Sequence, residues 1–435
     1  MALGGGTFPT QNKIIPGTYI NFVSLAAASA SLADRGIAAI GISADWGDDS
    51  SIIEITNSDF QKNSQKLFGY SYDNEKLKGL RDVFKGARLV YAYRLNGSGD
   101  KATNTFATAL YAGIRGNDIK IKIAKNVDDN TKWDVTTLLD NVAVDVQTVA
   151  AASNLVANDY VTFKTDATLA ATVGTALAGG TNSTVTGTAH QAFLDKIERY
   201  SFNVLGCTST TDAIKTLYIN FTERLRDEMG VKFQLVLYNK AADYEGVINV
   251  KNAVTDTGAE GSELVYWVTG HEASKPINES ALNDIYDGEY TINVNYTQAQ
   301  LEAAINAGEF TLHQVGDDIR VLMDINSLTT VTSVKGNIFK DNQTIRVIDQ
   351  IANDIAVLFN TKYLGVVPND DEGRTSLWGD IVQHHQELQT IRAIEEFSDE
   401  DIVIEQGATK KAVVVSDAIT VIGTMEKLYM TVTIQ

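Results

Sequence analysis

The histidines and the single cysteine are the side chains of this 435-residue chain that could most readily hold a metal ion or act as a nucleophile. The most suggestive pair is His384 and His385, which are adjacent in a segment with helical periodicity. Neighbouring helix positions point about 100° apart, so the two rings cannot chelate one ion as an i, i+4 pair would. A partner-facing or buried polar role is the better interpretation. Because Cys207 has no second cysteine, the sequence excludes an internal disulfide framework and a cysteine-rich metal site.

Segments that could bind phosphate or assemble a catalytic centre are scarce. The sequence contains no Walker loop, no G-x-G-x-x-G motif after a predicted strand and no G-x-S-x-G motif. Residues 206–211 lie between a predicted strand and a predicted helix, where anions can bind, but they lack a lysine and the glycine pattern. A helix cap beside a buried thiol is favoured there. The sequence therefore predicts a protein that is not an enzyme and needs no metal or other cofactor.

Composition and charge narrow the class of protein. The chain has 36 basic and 55 acidic residues, a formal net charge of −19, which disfavours a general nucleic-acid binder and a surface that sits on anionic lipid. No apolar stretch is long enough to span a membrane, so we expect no membrane insertion. The first thirty residues lack a basic start followed by an apolar block, so we expect a chain made and kept in a cytoplasm. The length predicts two to four domains, at roughly 100–200 residues each.

The first secondary-structure elements predicted along the chain, which would help to position the histidines and Cys207, are short strands and one helical region. Residues 18–23 and 36–43 read as strands, residues 73–84 as helical and residues 87–95 as a further strand. From 96 to 188 the chain is rich in Thr, Ala, Val and Asn, with short alternating runs. In Ile119-Lys-Ile-Lys-Ile123 three isoleucines share one face and two lysines the other. We therefore predict an inserted all-β domain.

From about residue 189 the pattern becomes that of an α/β sheet. Helix, strand, helix and strand are predicted in turn over 190–200, 202–205, 214–225 and 231–237, which is typical of βα crossover units. The apolar run Leu264–Val268 is predicted as another strand. Residues 310–323 are predicted to form a hairpin.

The last hundred residues predict two helices, some strands and an unusual end. The helices cover 345–359 and about 376–393, and strands are expected around Val403 and Val413. The second helix is indicated by an apolar stripe of Leu377, Ile381, Leu388 and Ile391. The final run, 426–435, alternates apolar and polar residues as a strand does. A strand-like segment at each end of a chain has unpaired backbone groups and an apolar face to bury. It could fold back on its own domain or add to the sheet of a neighbouring copy.

Several segments, spread across the chain in the same order, resemble the contractile phage tail sheath proteins, a family also found in R-type bacteriocins and other contractile injection particles. The matching segments are 16–23, 38–42 with Asp45-Trp-Gly47, 111–123, Lys362–Asn369, Gly373-Arg374, Trp378, Ile391, 393–395 and 425–432. Only the interior of the β insertion, about 125–185, has no such match.

The resemblance implies an architecture: an α/β core with an inserted all-β domain and extended β-strand arms at both termini. The implied divisions are an N-terminal arm (1–23), the first part of an α/β middle domain (24–95), an outer β-sandwich or barrel-like domain (96–188), the rest of the middle domain (189–335), a tube-proximal domain (336–423) and a C-terminal arm (424–435).

The resemblance also implies what the residues do. Arms would insert into sheets of adjacent copies through Thr18, Tyr19, Ile20 and Phe22 at one end and Leu428, Met430, Val432 and Ile434 at the other. A helix over 376–393, with Trp378, His384, His385 and Gln389, would face an inner tube.

Implied partners are further copies in a six-fold sheath, the inner tail tube protein, and baseplate and terminator proteins. The implied location is a virion tail or phage-tail-like particle assembled in the bacterial host cytoplasm. In this mechanism the sheath contracts without consuming nucleotide and drives the tube through a bacterial envelope.

Three alternatives stay open at this point. A surface-layer or adhesin-like structural protein would explain the acidic charge and the Thr-, Ala- and Asn-rich segment, but it should carry an export signal. A glycan-active enzyme would need a pair of carboxylates in a cleft. A tail tube or baseplate component is closer in kind, although tube proteins are usually much shorter and lack an α/β centre.

Overall fold

The structure, a computed structural model, describes Leu32 and residues 35–434. The predicted N-terminal arm strand, with Thr18, Tyr19, Ile20 and Phe22, lies outside the described residues. The described chain divides into two compact units, residues 35–345 and 346–434.

The first unit begins with the centre and one edge of a sheet. Its elements are β1 (Ile37–Ile42), β2 (Ile53–Thr56), α1 (Asn57–Phe68), α2 (Lys78–Val83) and β3 (Leu89–Arg94). Thr56 caps α1 by accepting a hydrogen bond from the Asp59 amide, and Gly69 ends the helix with a φ of 80°. The predicted strands 36–43 and 87–95 are confirmed as β1 and β3. The sequence analysis missed α1 and β2.

An all-β insertion follows, as predicted. Its strands are β4 (Ala107–Ala109), β5 (Ile119–Lys125), β6 (Trp133–Leu139), β7 (Val142–Val149), β8 (Val161–Phe163) and β9 (Thr172–Ala176). They form a four-stranded sheet in the order β7-β6-β5-β9 and a two-stranded sheet of β4 and β8. The three isoleucines of β5 are buried and Lys122 is exposed, which confirms the predicted alternation.

The chain then returns to the sheet that it left. The elements are α3 (Gly187–Ile197), β10 (Val204–Cys207), α4 (Asp212–Glu223), β11 (Gln234–Tyr238), β12 (Val247–Val250), α5 (Leu264–Ser274), α6 (Gln298–Asn306), β13 (Glu309–Phe310), β14 (Leu312–Val315) and β15 (Asp318–Val321). A π-helical turn, Arg224–Glu228, extends α4. Strands β14 and β15 pair as the predicted hairpin.

The seven-stranded sheet of this unit has the order β13-β12-β11-β10-β1-β3-β2. All neighbours are parallel except β2, which runs antiparallel to β3 at the edge. Ala38 and Ile40 of β1 pack into one apolar cluster with α2 and α5, whereas Ala39 packs into another with α3 and α4. Both faces of the sheet are therefore covered, as a parallel sheet requires. The predicted α/β core with an inserted β domain is confirmed.

The prediction of a strand at Leu264–Val268 is wrong, because these residues begin the helix α5. Eight of its eleven residues are buried, so the helix is apolar on most sides and shows no helical period in the sequence. Helix α5 also lies very close to α2: a Cβ on Gly270 would lie 2.0 Å from the carbonyl oxygen of Val83.

The second unit contains most of α7 (Asn342–Leu358), then α8 (Asp371–Thr390), β16 (Ile394–Glu395), β17 (Ile402–Gln406), β18 (Val413–Asp417) and β19 (Thr420–Val421). A π-helical turn, Phe359–Tyr363, follows α7. The predicted helices over 345–359 and 376–393 are present, and α8 begins five residues earlier than predicted. Strands β17 and β18 pair with each other, and β16 pairs with β19.

Candidate subunit-interface site

Helix α8 is held in the second unit by a broad apolar side and a network of polar contacts. Asp370 caps it by accepting a hydrogen bond from the Gly373 amide at 2.8 Å. Leu377, Ile381 and Leu388, three residues of the predicted apolar stripe, are buried. Asp380, one turn after Leu377, accepts hydrogen bonds from the Lys362 ammonium, at 2.6 Å, and from the Tyr363 hydroxyl. Burial and this carboxylate raise the pKa of Tyr363, so its hydroxyl stays protonated as a donor.

The four residues predicted to face a tube lie in different environments. The side chains of His384 and His385 are 0% exposed, so of the two interpretations that the sequence offered, partner-facing and buried polar, the buried polar one describes them in this chain. Trp378 is half-buried and its indole N–H donates to the Ile402 carbonyl at 3.1 Å. Only Gln389 is exposed. The reason is that α8 packs against α7 on one side and the β17–β18 hairpin on the other, so more than one stripe of the helix is covered.

Beyond its first turn, where Asp371 and Glu372 are exposed, the exposed residues of α8 are uncharged and mostly polar: Thr375, Ser376, Gly379, Gln383, Gln386, Gln389 and Thr390. The sequence analysis missed Gln383 and Gln386, although they lie at helical spacing opposite the apolar stripe. In a chain with a net charge of −19, an uncharged helical face is compatible with close packing against another acidic surface.

The β17–β18 hairpin is a two-stranded sheet with open edges. It pairs Ile402 with Asp417 at one end and Gln406 with Val413 at the other. No third strand pairs with it in the part of the chain that the structure describes. Val403 and Val414 are each about half exposed. Open edges and exposed valines form a template for another extended chain.

The C-terminal segment is exposed and makes no strand in the single chain. Within residues 422–434 no strand is found, so the strand predicted over 426–435 has no ladder partner among the described residues. Leu428 is 86% exposed, Met430 74%, Val432 71% and Ile434 92%. Four large apolar side chains at alternating positions are costly to leave in water. In an extended strand they would lie on one side and form an apolar edge. No described part of this chain covers them.

A cleft of the first unit lies at the carboxyl ends of β1 and β10 and has a volume of about 920 Å³. Parallel α/β sheets often bind ligands at such a position. Four carboxylates, Glu75, Asp256, Glu260 and Glu263, line it with several hydroxyls. His190, which also lines the cleft, has its pKa lowered to about 4 by burial, so it is neutral at pH 7.

Cys207, at the end of β10, has its pKa raised to about 12 by burial. Neither His190 nor Cys207 has the properties of an activated base or nucleophile.

The described residues lack two features that other classes of protein would need. Among residues 32 and 35–434, no helix has both the length and the apolarity needed to cross a bilayer. The same residues contain no group of three or more His, Cys, Asp or Glu side chains arranged to hold a metal ion.

Comparison with protein families gives four consecutive matches. They are the tail sheath protein Gp18 domain III N-terminal region (35–95), the phage tail sheath protein beta-sandwich domain (96–182), the phage tail sheath protein central domain (183–327) and the phage tail sheath C-terminal domain (334–435). The phage-like element PBSX protein XkdK of Bacillus subtilis is 33% identical, with 99% of each chain aligned.

The chain belongs to the phage tail sheath protein family. A solved sheath tail protein of Desulfitobacterium hafniense is 36% identical, with a TM-score of 0.83 over 95% of this chain and 99% of that one. One of Listeria innocua is 34% identical, with a TM-score of 0.79 over 93% and 96%. The chain is thus a sheath component of a contractile phage tail or tail-like particle, and the sheath resemblance of the sequence is confirmed.

Proposed function

We propose that this chain is the structural subunit of a contractile sheath, which polymerises around an inner tube through exchanged strands and contracts to drive the tube through a bacterial envelope. The observation that carries the strand exchange is the C-terminal arm, residues 424–435. Its alternating apolar side chains are exposed in the single chain, and a second copy would cover them.

The β17–β18 hairpin of a neighbouring copy is the proposed acceptor of the arm. An added strand would satisfy the open backbone groups at the hairpin edge and place alternate side chains on its valines. Main-chain pairing of this kind fixes register, because a shift by one residue would turn every apolar side chain to the other face. Such links can transmit force between copies without any covalent bond.

Contraction requires that two packings of the same subunit differ by only a few kcal/mol. A small difference per copy becomes a large driving force when it is summed over many copies. The arms and hairpins then have to stay paired while the subunits rotate and move outward. We further propose that residues 1–23 form a second arm, and that the sheath is six-fold and assembles in the host cytoplasm with tube, baseplate and terminator proteins.

The tube contact is proposed to involve the exposed side of α8, including Gln389. This proposal replaces the buried pair His384 and His385 by the uncharged polar positions that the helix exposes. Substituting Gln383 and Gln386 together by glutamate should weaken co-assembly with the tube protein while leaving tube-free polymers intact. If the double variant lost co-assembly with the tube protein and tube-free polymerisation to the same extent, a tube-specific role would be contradicted.

Deletion of Thr431–Gln435 tests the exchanged arm. We expect a folded, soluble subunit that no longer forms tubes in electron micrographs of the purified protein. A matched pair of point variants sharpens the test. Val432→Glu should block assembly because Val432 belongs to the apolar edge, whereas Thr433→Glu changes the opposite face and should be tolerated. Normal tubes from the deleted chain would refute the arm assignment.

A further inference from the structure

The adjacent histidines of α8 each contact a different carboxylate on a different element. His384 Nε2 lies 3.0 Å from Asp354 Oδ2 on α7, and His385 Nε2 lies 2.9 Å from Asp417 Oδ2 on β18. The two ring centroids are 5.4 Å apart. Both rings are fully buried, and Asp354 is nearly so, whereas the side chain of Asp417 is 26% exposed. The pair therefore ties α7 and the β17–β18 hairpin to α8.

The hydrogen-bond partners of His385 determine where protons must lie. Its Nδ1 is 3.0 Å from the carbonyl oxygen of Ile381, which can only accept, so Nδ1 carries a proton. Its Nε2 faces the carboxylate of Asp417, and a hydrogen bond there needs a second proton between the two groups. The His385–Asp417 pair thus holds one proton more than a neutral imidazole beside an ionised carboxylate.

The other groups around His385 are consistent with a single added proton. His384 donates from Nε2 to Asp354, which also accepts from the Gln350 amide at 2.9 Å. The Nδ1 of His384 then faces the Nδ1 of His385 at 3.4 Å without needing a proton of its own. Two adjacent buried imidazolium ions would repel each other, which favours a neutral His384. On the remaining side, the uncharged ring of Phe397 lies 5.1 Å from the ring of His385.

The position of Asp417 gives this proton a structural role. Asp417 is paired directly with Ile402 at the end of the hairpin where β17 begins. Helix α8 contacts both residues, through the Trp378 indole to the Ile402 carbonyl and through His385 to Asp417. Trp378 and His385 are seven residues apart, two helical turns, and so lie on the same side of the helix. These two contacts seat the hairpin on α8.

We propose that His385 and Asp417 form a proton-dependent latch that holds the β17–β18 hairpin on α8. When the extra proton leaves, the lone pair of His385 Nε2 faces the Asp417 carboxylate, and the hydrogen bond is replaced by repulsion. Opening releases a proton, so rising pH favours the open form. The consequence for strand exchange rests on the proposed function, because the hairpin is the proposed acceptor sheet, but the latch itself belongs to the single chain.

Hydrogen exchange of the unassembled full-length chain tests the latch. Exchange is measured in peptides covering 402–417 between about pH 6.5 and 8.5. This range begins at the ordinary pKa of a free imidazole and extends about two units above it. After correction for the intrinsic exchange rate, opening should increase with pH by at most about tenfold per unit, the limit for release of one proton.

Asp417→Asn is the sharpest variant, because its amide can donate to a neutral His385 and keep the hydrogen bond without the added proton. Its exchange should therefore be nearly independent of pH. Glu405→Gln, on the exposed side of β17, is the matched control and should keep the wild-type profile. A wild-type profile in Asp417→Asn, or a flat profile in the unchanged chain, would overturn the proposal.

A spectroscopic measurement observes the proton itself. The chain has five histidines, so selective ¹⁵N-histidine labelling gives few signals. The signal that disappears in His385→Gln is assigned to His385. We expect His385 to show two protonated ring nitrogens under the conditions in which exchange of 402–417 is slow. A neutral His385 under those conditions would refute the latch. Neither experiment requires assembly, so a negative result would leave the arm-deletion test of strand exchange unaffected.

Discussion

Asp82 is a buried acid in α2 whose surroundings favour its neutral form. One carboxylate oxygen accepts a hydrogen bond from the Glu289 amide at 2.8 Å, and the other has no partner among the described residues. Burial raises the pKa of Asp82 to about 7, and the nearby Glu289 carboxylate adds to the shift. The neighbouring Arg81 is already engaged with the Glu289 carboxylate at 2.8 and 2.7 Å. Asp82 is therefore a point at which pH acts on the fold.

The sign of this effect follows from proton linkage. The folded chain binds the proton of Asp82 more tightly than the unfolded chain, so the contribution of Asp82 to stability is greatest at low pH. It is lost as pH rises from about 4 to about 7 and is constant above that. Asp82→Asn should remove this slope, with a gain relative to wild type that is larger at pH 8 than at pH 5, on the order of 1–3 kcal/mol.

Urea unfolding at the two pH values measures the difference. The exposed acid Asp317, changed to asparagine, is the control and should leave the wild-type slope in place. An unchanged slope in Asp82→Asn would mean that another group causes the pH dependence.

The residue types of the candidate site were readable from the sequence, but their surroundings were not. Adjacency of His384 and His385 gave an argument against chelation of one ion. It could not identify Asp354 and Asp417 as partners, because these lie about 30 residues away on either side and meet the histidines only after folding. Burial of a polar side chain depends on such partners, which leave no local pattern.

Helix α5 depends on the absence of a side chain at Gly270. A Cβ there would lie 2.0 Å from the carbonyl oxygen of Val83, a backbone atom that cannot move aside without moving α2. Gly270→Ala should destabilise the chain by about 1–3 kcal/mol because it separates two packed helices. Thermal unfolding measures the loss.

Gly379 offers the opposite case within a helix. Nothing lies within 4 Å of a Cβ built there, and the position is exposed on α8. Gly379→Ala should raise stability by about 0.5–1 kcal/mol, because alanine loses less backbone freedom on folding. Similar effects of the two substitutions would show that helix propensity, not close packing, governs Gly270.

Elements with one buried face were predicted well, and elements buried on both sides were not. The alternation in β5 and the stripe of α8 identified both correctly, because each has a solvent side that breaks the apolar run. Helix α5 has almost no solvent side, so its run Leu264–Val268 looks like a strand. Helix α1 was missed for the opposite reason: few of its residues are apolar, and its signals are the Thr56 cap and Gly69.

At the scale of the whole molecule, the sequence identified the family but not which surface covers the C-terminal end of the chain. The order of matching segments is a property of the entire chain, and it survives errors in single elements. In the proposed function other copies cover the C-terminal arm, so alternation over 426–435 could predict a strand but not its partner. A fold in which part of the apolar surface is satisfied only by assembly cannot be completed from one chain.

The net charge of −19 leads to a prediction about assembly. Stacking many copies brings like charges together, and salt screens this repulsion over about 8–10 Å at physiological ionic strength. We therefore expect polymerisation, measured as pelletable tubes, to increase several-fold as potassium chloride rises from about 20 to about 200 mM, over which the screening length shortens. Sucrose at the same osmolality is the control and should not reproduce the effect. If salt instead dissolves the tubes, opposite charges across the interfaces must outweigh the overall repulsion, and the uncharged edge of the arm would not be the dominant contact.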